Sequence, residues 1–127
     1  MEKIILILVA LLFSSGSVTA TPLPNKLAGK PVAKASCDVG GCTHEKLSEA
    51  DQAKYSLAVS RPAETYFWTS RENRKLEHSV SGAFDNYINS EGQGYIRVAH
   101  VDGHCLYVEH LTMALQTVTY WGECQES

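Results

Sequence analysis

Apolar runs long enough to cross a bilayer are missing from this chain. The longest, residues 4–13, is ten residues, too short for a hydrocarbon core of about 30 Å, and no second such segment follows. Asn-x-Ser/Thr sequons are absent as well, so N-glycosylation is not expected. The chain also lacks a Walker loop, a dinucleotide-binding glycine fingerprint, a His-Glu-x-x-His motif and a Gly-x-Ser-x-Gly elbow, so no motif marks nucleotide, zinc-protease or hydrolase chemistry. There is no excess of basic residues: the formal net charge is −3, which does not favour nucleic acid as a partner. Internal repeats and low-complexity tracts are lacking too.

What is present begins with an export signal. Lys3 precedes the apolar run, and Val18-Thr19-Ala20 places small residues at the −3 and −1 positions of a cut after residue 20. Cys37 lies too far beyond that cut to carry a lipid. The expected organisation is a signal peptide (1–20), an extended or disordered leader (21–36) and a single disulfide-stabilised domain (37–127). The leader, TPLPNKLAGKPVAKAS, holds three of the four prolines and few bulky apolar side chains. The product is expected to be secreted or, in a bacterium, periplasmic, with no stable membrane insertion after cleavage.

Four cysteines, Cys37, Cys42, Cys105 and Cys124, read as two disulfides in an exported chain. Their spacings fit a zinc site poorly.

Ser48 with Asp51 starts a helix over 48–59, stopped by Arg61-Pro62. ETYFWT (64–69) reads as a strand. Thr69 and Glu72 form a second capping box for a long helix over 70–89, with Leu76, Val80, Ala83, Phe84 and Tyr87 on one side and Arg71, Arg74, Lys75 and His78 on the other. From Tyr95 onward there is no proline and the pattern shifts to period two. A two-residue turn at Asp102-Gly103 separates Ile96 and Val98 from Leu106 and Val108. A three-residue loop, 101–103, unites them on one aliphatic face and sets His100 opposite His104, so this register is preferred. The expected fold is therefore α+β, in the order α-β-α-β-β-β, with the long amphipathic helix packed on a small antiparallel sheet. In that register Cys105 faces Trp121. The offset to Cys124 is roughly 10 Å, so each N-terminal cysteine is expected to pair with one of Cys105 and Cys124. A bulge would instead permit Cys37–Cys42 with Cys105–Cys124.

Three constellations can carry function. His100, Asp102 and His104 at the hairpin tip have zinc-ligand or acid–base character, although an exposed turn that nothing dehydrates or orients accounts for them better. Tyr95, Arg97, Tyr107, Glu109 and Trp121 form a sheet face rich in the residue types that concentrate binding energy. Arg71, Arg74 and Lys75 form a basic helix stripe suited to an acidic partner. A hydrolytic reading draws on His100, His104, His110, Glu109 and Arg97, but the even-numbered histidines point away from Arg97 and Glu109. The pattern therefore favours binding over catalysis, and no cofactor is implied.

With its cleavable signal, its Thr21-Pro22-Leu23-Pro24 start, four cysteines and about a hundred residues after the cut, the chain resembles small secreted cysteine-containing proteins of the fungal effector type. Periplasmic inhibitors and immunity proteins share the layout. Cys37 to Tyr55 resembles the cysteine-and-helix start of small fungal ribonucleases, although the long helix lies in the wrong half of the chain. The resemblance implies a secreted protein that binds a macromolecular partner, most simply a protein, in an effector-like (virulence) or inhibitor-like role. The alternative is a metal-independent ribonuclease-like hydrolase or an inactive derivative of that scaffold.

Overall fold

Alternation with period two runs through most of the chain in the computed structural model, which describes residues 23–127. The elements are β1 (Lys26–Asp38), β2 (Gly41–Lys46), α1 (Glu49–Lys54), β3 (Leu57–Ser60), β4 (Tyr66–Trp68), a 3-10 turn (Thr69–Arg71), β5 (Arg74–Ser81), β6 (Phe84–Ile88), β7 (Gly94–Val101), β8 (His104–Met113) and β9 (Gln116–Glu126). Each strand from β3 to β9 pairs antiparallel with the next, and β1 pairs with both β3 and β9. The ring closes into an eight-stranded antiparallel barrel, with β2 folded back on the second half of β1. Closure leaves the barrel strands without a free edge along most of their length.

Eight strands enclose a space just wide enough for side chains to fill or for one small ligand. Here it is filled mainly by Leu27, Leu57, Trp68, Tyr87, Ile96 and Val98, all at most 2% exposed. Gly29 is part of this packing. A Cβ there would stand 2.5 Å from the Tyr107 ring and 2.9 Å from Leu57, so the ring lies against β1 because the side chain is missing. At Gly122 a Cβ would stand 2.1 Å from the Lys30 carbonyl oxygen. This close approach accompanies the irregularity between Pro31 and Ala33 in the β1–β9 ladder.

The expected α+β fold is overturned. The 70–89 segment is not a helix but a 3-10 turn and the β5–β6 hairpin. Glu72 and Asn73 adopt left-handed angles (φ 61° and 56°), which end the turn instead of propagating it. Gly82, also left-handed at φ 61°, turns the hairpin at the point where a helix would have carried its stripe through. The hydroxyl expected to cap that helix bonds β3 instead: Thr69 Oγ1 donates to the Ala58 carbonyl, and the neighbouring Ser70 Oγ accepts from the Ala58 amide, both at 2.9 Å. The first helix exists but is short, with Ser48 Oγ accepting from Asp51 N at 3.3 Å; residues 57–59 leave it to form β3. Residues 26–36 of the expected leader are ordered in β1. The signal peptide lies outside the described residues.

The β7–β8 register is the other correction. Asp102 and Gly103 form a two-residue loop, both left-handed (φ 51° and 80°), the turn whose twist matches the flanking strands. Val98 therefore faces Tyr107, Ile96 faces Glu109 and His100 faces Cys105. One residue of slip turns Tyr107 and Glu109 into the barrel and Leu106 and Val108 out of it. The same register, carried into β9, sets Cys105 opposite Cys124. The disulfides are Cys37–Cys42 and Cys105–Cys124, so the preferred cross-pairing of N- and C-terminal cysteines is wrong. Both bridges suit an oxidising compartment. No helix among the described residues is long and apolar enough to cross a membrane.

Candidate functional site

The barrel has an upper end, where β1 and β8 finish, and a lower end, where β1 begins and β9 stops. At the upper end the interior opens into a cavity of about 630 Å³, within the usual range for small-molecule sites. Leu111, Val118 and Tyr120 supply its apolar side, while Arg71, Arg74, Glu72 and Gln93 supply its polar one.

Arg71 is the organising side chain. Its Nε and Nη2 donate to the two carboxylate oxygens of Glu109 at 3.1 and 2.8 Å. Trp68 Nε1 donates to the same carboxylate at 2.7 Å. Glu109 is completely buried, and a buried carboxylate of this kind requires such compensation. The guanidinium also lies 5.4 Å from the centre of the Tyr120 ring, which stacks on Tyr55 at 5.4 Å. Lys34 Nζ sits 4.8 Å from the Tyr55 ring centre. Burial pushes the Tyr120 phenol up to about 12 against the pull of Arg71, so it remains a neutral donor over the physiological range. Burial also raises Tyr107, with the charge of Glu109 adding to the effect. The mouth thus combines a flat aromatic wall with two guanidiniums, Arg71 paired with buried Glu109 and Arg74 paired with exposed Glu72 at 3.6 Å.

The lower end carries two imidazole–carboxylate pairs. His78 Nε2 meets Asp85 Oδ1 at 2.8 Å, beside the rings of Tyr66 and Tyr87. His100 Nε2 contacts Glu126 Oε1 next to the Cys105–Cys124 bridge.

A third feature lies on the outer wall. Val32, Phe84, Leu106, Val108 and Trp121 line a shallow apolar groove of about 370 Å³, with Arg97 at its side. Arg97 Nε donates to Asn86 Oδ1 at 2.9 Å, and its guanidinium covers the Phe84 ring.

The predicted sites are redistributed. His100 belongs to the lower-end cluster, whereas His104 pairs with Val101 and follows the opposite strand face; neither forms a ligand cluster with Asp102 among the described residues. His110 stacks on exposed Tyr95 and bonds Thr119. The hydrolytic set of His100, His104, His110, Glu109 and Arg97 is therefore scattered between the interior, the lower end and the outer wall. The predicted binding face is split: Tyr95, Arg97 and Trp121 are outside, but Tyr107 and Glu109 are inside. The basic stripe is divided as well, with Arg71 and Arg74 lining the cavity and Lys75 opposite Phe67 in the β4–β5 ladder. Trp68, Tyr55 and Gln93 belong to no motif in the sequence, and Tyr120 carries only the inward alternation of the last strand. The Asp-Gly turn was the available clue to the register that places Tyr107, Glu109 and Tyr120 inside.

Comparison with protein-family models, with curated proteins and with solved structures finds no match to this chain.

Proposed function

We propose that this is an exported binding protein whose barrel mouth takes up a small organic anion with a flat apolar body. The observation that carries the reading is the position of Arg71. Glu109, itself held by the Trp68 indole, fixes the guanidinium from inside the barrel, and the guanidinium borders the cavity beside the stacked Tyr55 and Tyr120 rings. An anionic head suits Arg71 and Arg74, and a planar body suits the tyrosine wall and Leu111. A naphthalenesulfonate fluorophore has this chemistry. It should bind one site per barrel, and Arg74→Glu together with Tyr55→Ala should weaken it about tenfold, equivalent to roughly 1.4 kcal/mol. Unchanged binding in that double variant would place the probe elsewhere and end the reading.

The outer groove supports a second reading: a protein partner in an effector-like or inhibitor-like role. An apolar recess beside an arginine fits a bulky apolar side chain flanked by a carboxylate. Selecting displayed peptides on the intact barrel should enrich that pattern, and the enrichment should vanish with Leu106→Glu. Enrichment that survives Leu106→Glu would remove the groove from consideration.

A further inference from the structure

We propose that the lower end of the barrel is a thiol-gated site for a zinc-type divalent cation, closed while Cys105 and Cys124 are bridged and opened by their reduction. The site is independent of the upper mouth. Three adjacent strands build it: β7 supplies His100, β8 Cys105, and β9 Cys124 and Glu126, with His100 opposite Cys105 and Cys105 opposite Cys124 in the ladders. Ligand atoms of His100, Cys105 and Glu126 all lie within 4.8 Å of one another, and Cys105 Sγ is 4.0 Å from Glu126 Oε1. Ligands of a tetrahedral zinc ion stand about 3.3–3.8 Å apart, given bond lengths of about 2.0–2.3 Å. Small side-chain rotations therefore bring these three onto one ion, and Cys124, whose sulfur is bonded to that of Cys105, is the fourth ligand once the bridge opens. The backbone is already in place, since the cysteine Cα atoms are 5.0 Å apart. Glu126 is held by the barrel seam, where the Ser127 amide donates to the Lys26 carbonyl at 3.0 Å. His100 is half exposed and Glu126 partly so, which leaves the ion a way in.

Two thiolates, one imidazole and one carboxylate are a zinc-type donor set. In the bridged state the sulfurs carry no charge, and only the imidazole and carboxylate remain as strong ligands. A dithiol reductant opens the site. Its thiolate attacks one sulfur of the bridge, the other cysteine leaves as a thiolate, and the second reductant thiol displaces the first cysteine from the mixed disulfide. The reductant is oxidised to its cyclic disulfide, and the protein gains two electrons and two protons. The cation then displaces both thiol protons as it binds. Such a site distinguishes an oxidising exterior from a reducing cytosol. The Cys37–Cys42 bridge of the β1–β2 hairpin has no comparable ligand cluster among the described residues and serves as an internal control.

The test uses the full chain, oxidised or reduced by a dithiol that is then removed without air, and titrated with cobalt(II) as a spectroscopic probe. The reduced protein should bind one ion with thiolate charge-transfer and tetrahedral d–d bands, and the oxidised protein should show neither. His100→Ala and Glu126→Gln should each weaken cobalt by roughly tenfold or more, while Cys37→Ser with Cys42→Ser should leave it unchanged. Trp68, inside the barrel, reports folding through the blue-shifted part of the fluorescence, which the more exposed Trp121 does not share. Thiolate bands that survive loss of both His100 and Glu126, that depend on Cys37 and Cys42, or that appear only once the Trp68 signal is lost would overturn the proposal. So would equal binding by the oxidised protein.

Discussion

The two ends of the barrel use the same kinds of group in opposite ways. At the upper end a carboxylate sits wholly inside, answered by a guanidinium fork and an indole N–H. At the lower end two carboxylates meet imidazoles at the rim, partly in water. Removing water from the upper pair makes each partner indispensable to the other, because an uncompensated buried charge is costly. The lower carboxylates keep some contact with solvent, and the half-exposed His100–Glu126 pair in particular is weak as a strut. Burial, more than the identity of the charges, separates a structural ion pair from groups left available for chemistry.

Substitutions can break or sharpen this contrast. Glu109→Ala should cost the most, about 3–5 kcal/mol, because it strands Arg71 and the Trp68 N–H; denaturant unfolding measures it. Replacing Cys105 and Cys124 together by serine should cost about 2–4 kcal/mol in the same assay, a covalent contribution from the lower end and not an electrostatic one. His100→Ala should cost less than about 1 kcal/mol. A loss as large as that of Glu109→Ala would erase the distinction between the ends.

The interior phenols add a pH test. Tyr66, Tyr87, Tyr107 and Tyr120 are all raised above 10, chiefly by burial. A phenol raised in the folded state contributes stability that is fully present below its unfolded value and lost as pH climbs through the folded one. Stability should therefore fall above pH 10, with Tyr120 contributing up to about 12. Tyrosinate absorbance followed alongside circular dichroism should show these groups ionising together with unfolding. Ionisation of all four in a chain that stays folded would contradict their burial.

Much of the strand content was legible locally. The 94–101 and 104–113 segments alternate as strands should, and Asp102-Gly103 is a strong hairpin turn. The expected register fails because it gathers every aliphatic side chain of the two strands on one face. The barrel instead buries Tyr107 and Glu109 beside Ile96 and Val98 and leaves Leu106 and Val108 on its outer wall. The 70–89 helix failed for a related reason. Leu76, Val80, Ala83, Phe84 and Tyr87 satisfy a helical stripe, but in the folded chain Leu76 and Tyr87 point inward while Val80 and Phe84 stand exposed. Nothing local to either segment reveals that the sheet closes.

By itself, the sequence determined the short-range features: a capped turn of helix at Ser48, the hairpin at Asp102-Gly103, and cysteines in even number suited to bridging. These depend on backbone angles and hydrogen bonds within a few residues. Which side of each strand faces inward and where Arg71 finds Glu109 were decided only when β1 paired with β9, whereas the cysteine pairs follow from the registers of the β1–β2 and β8–β9 hairpins. Closing the ring creates an interior, and only an interior makes a buried carboxylate, its guanidinium and its indole depend on one another across some forty residues of chain.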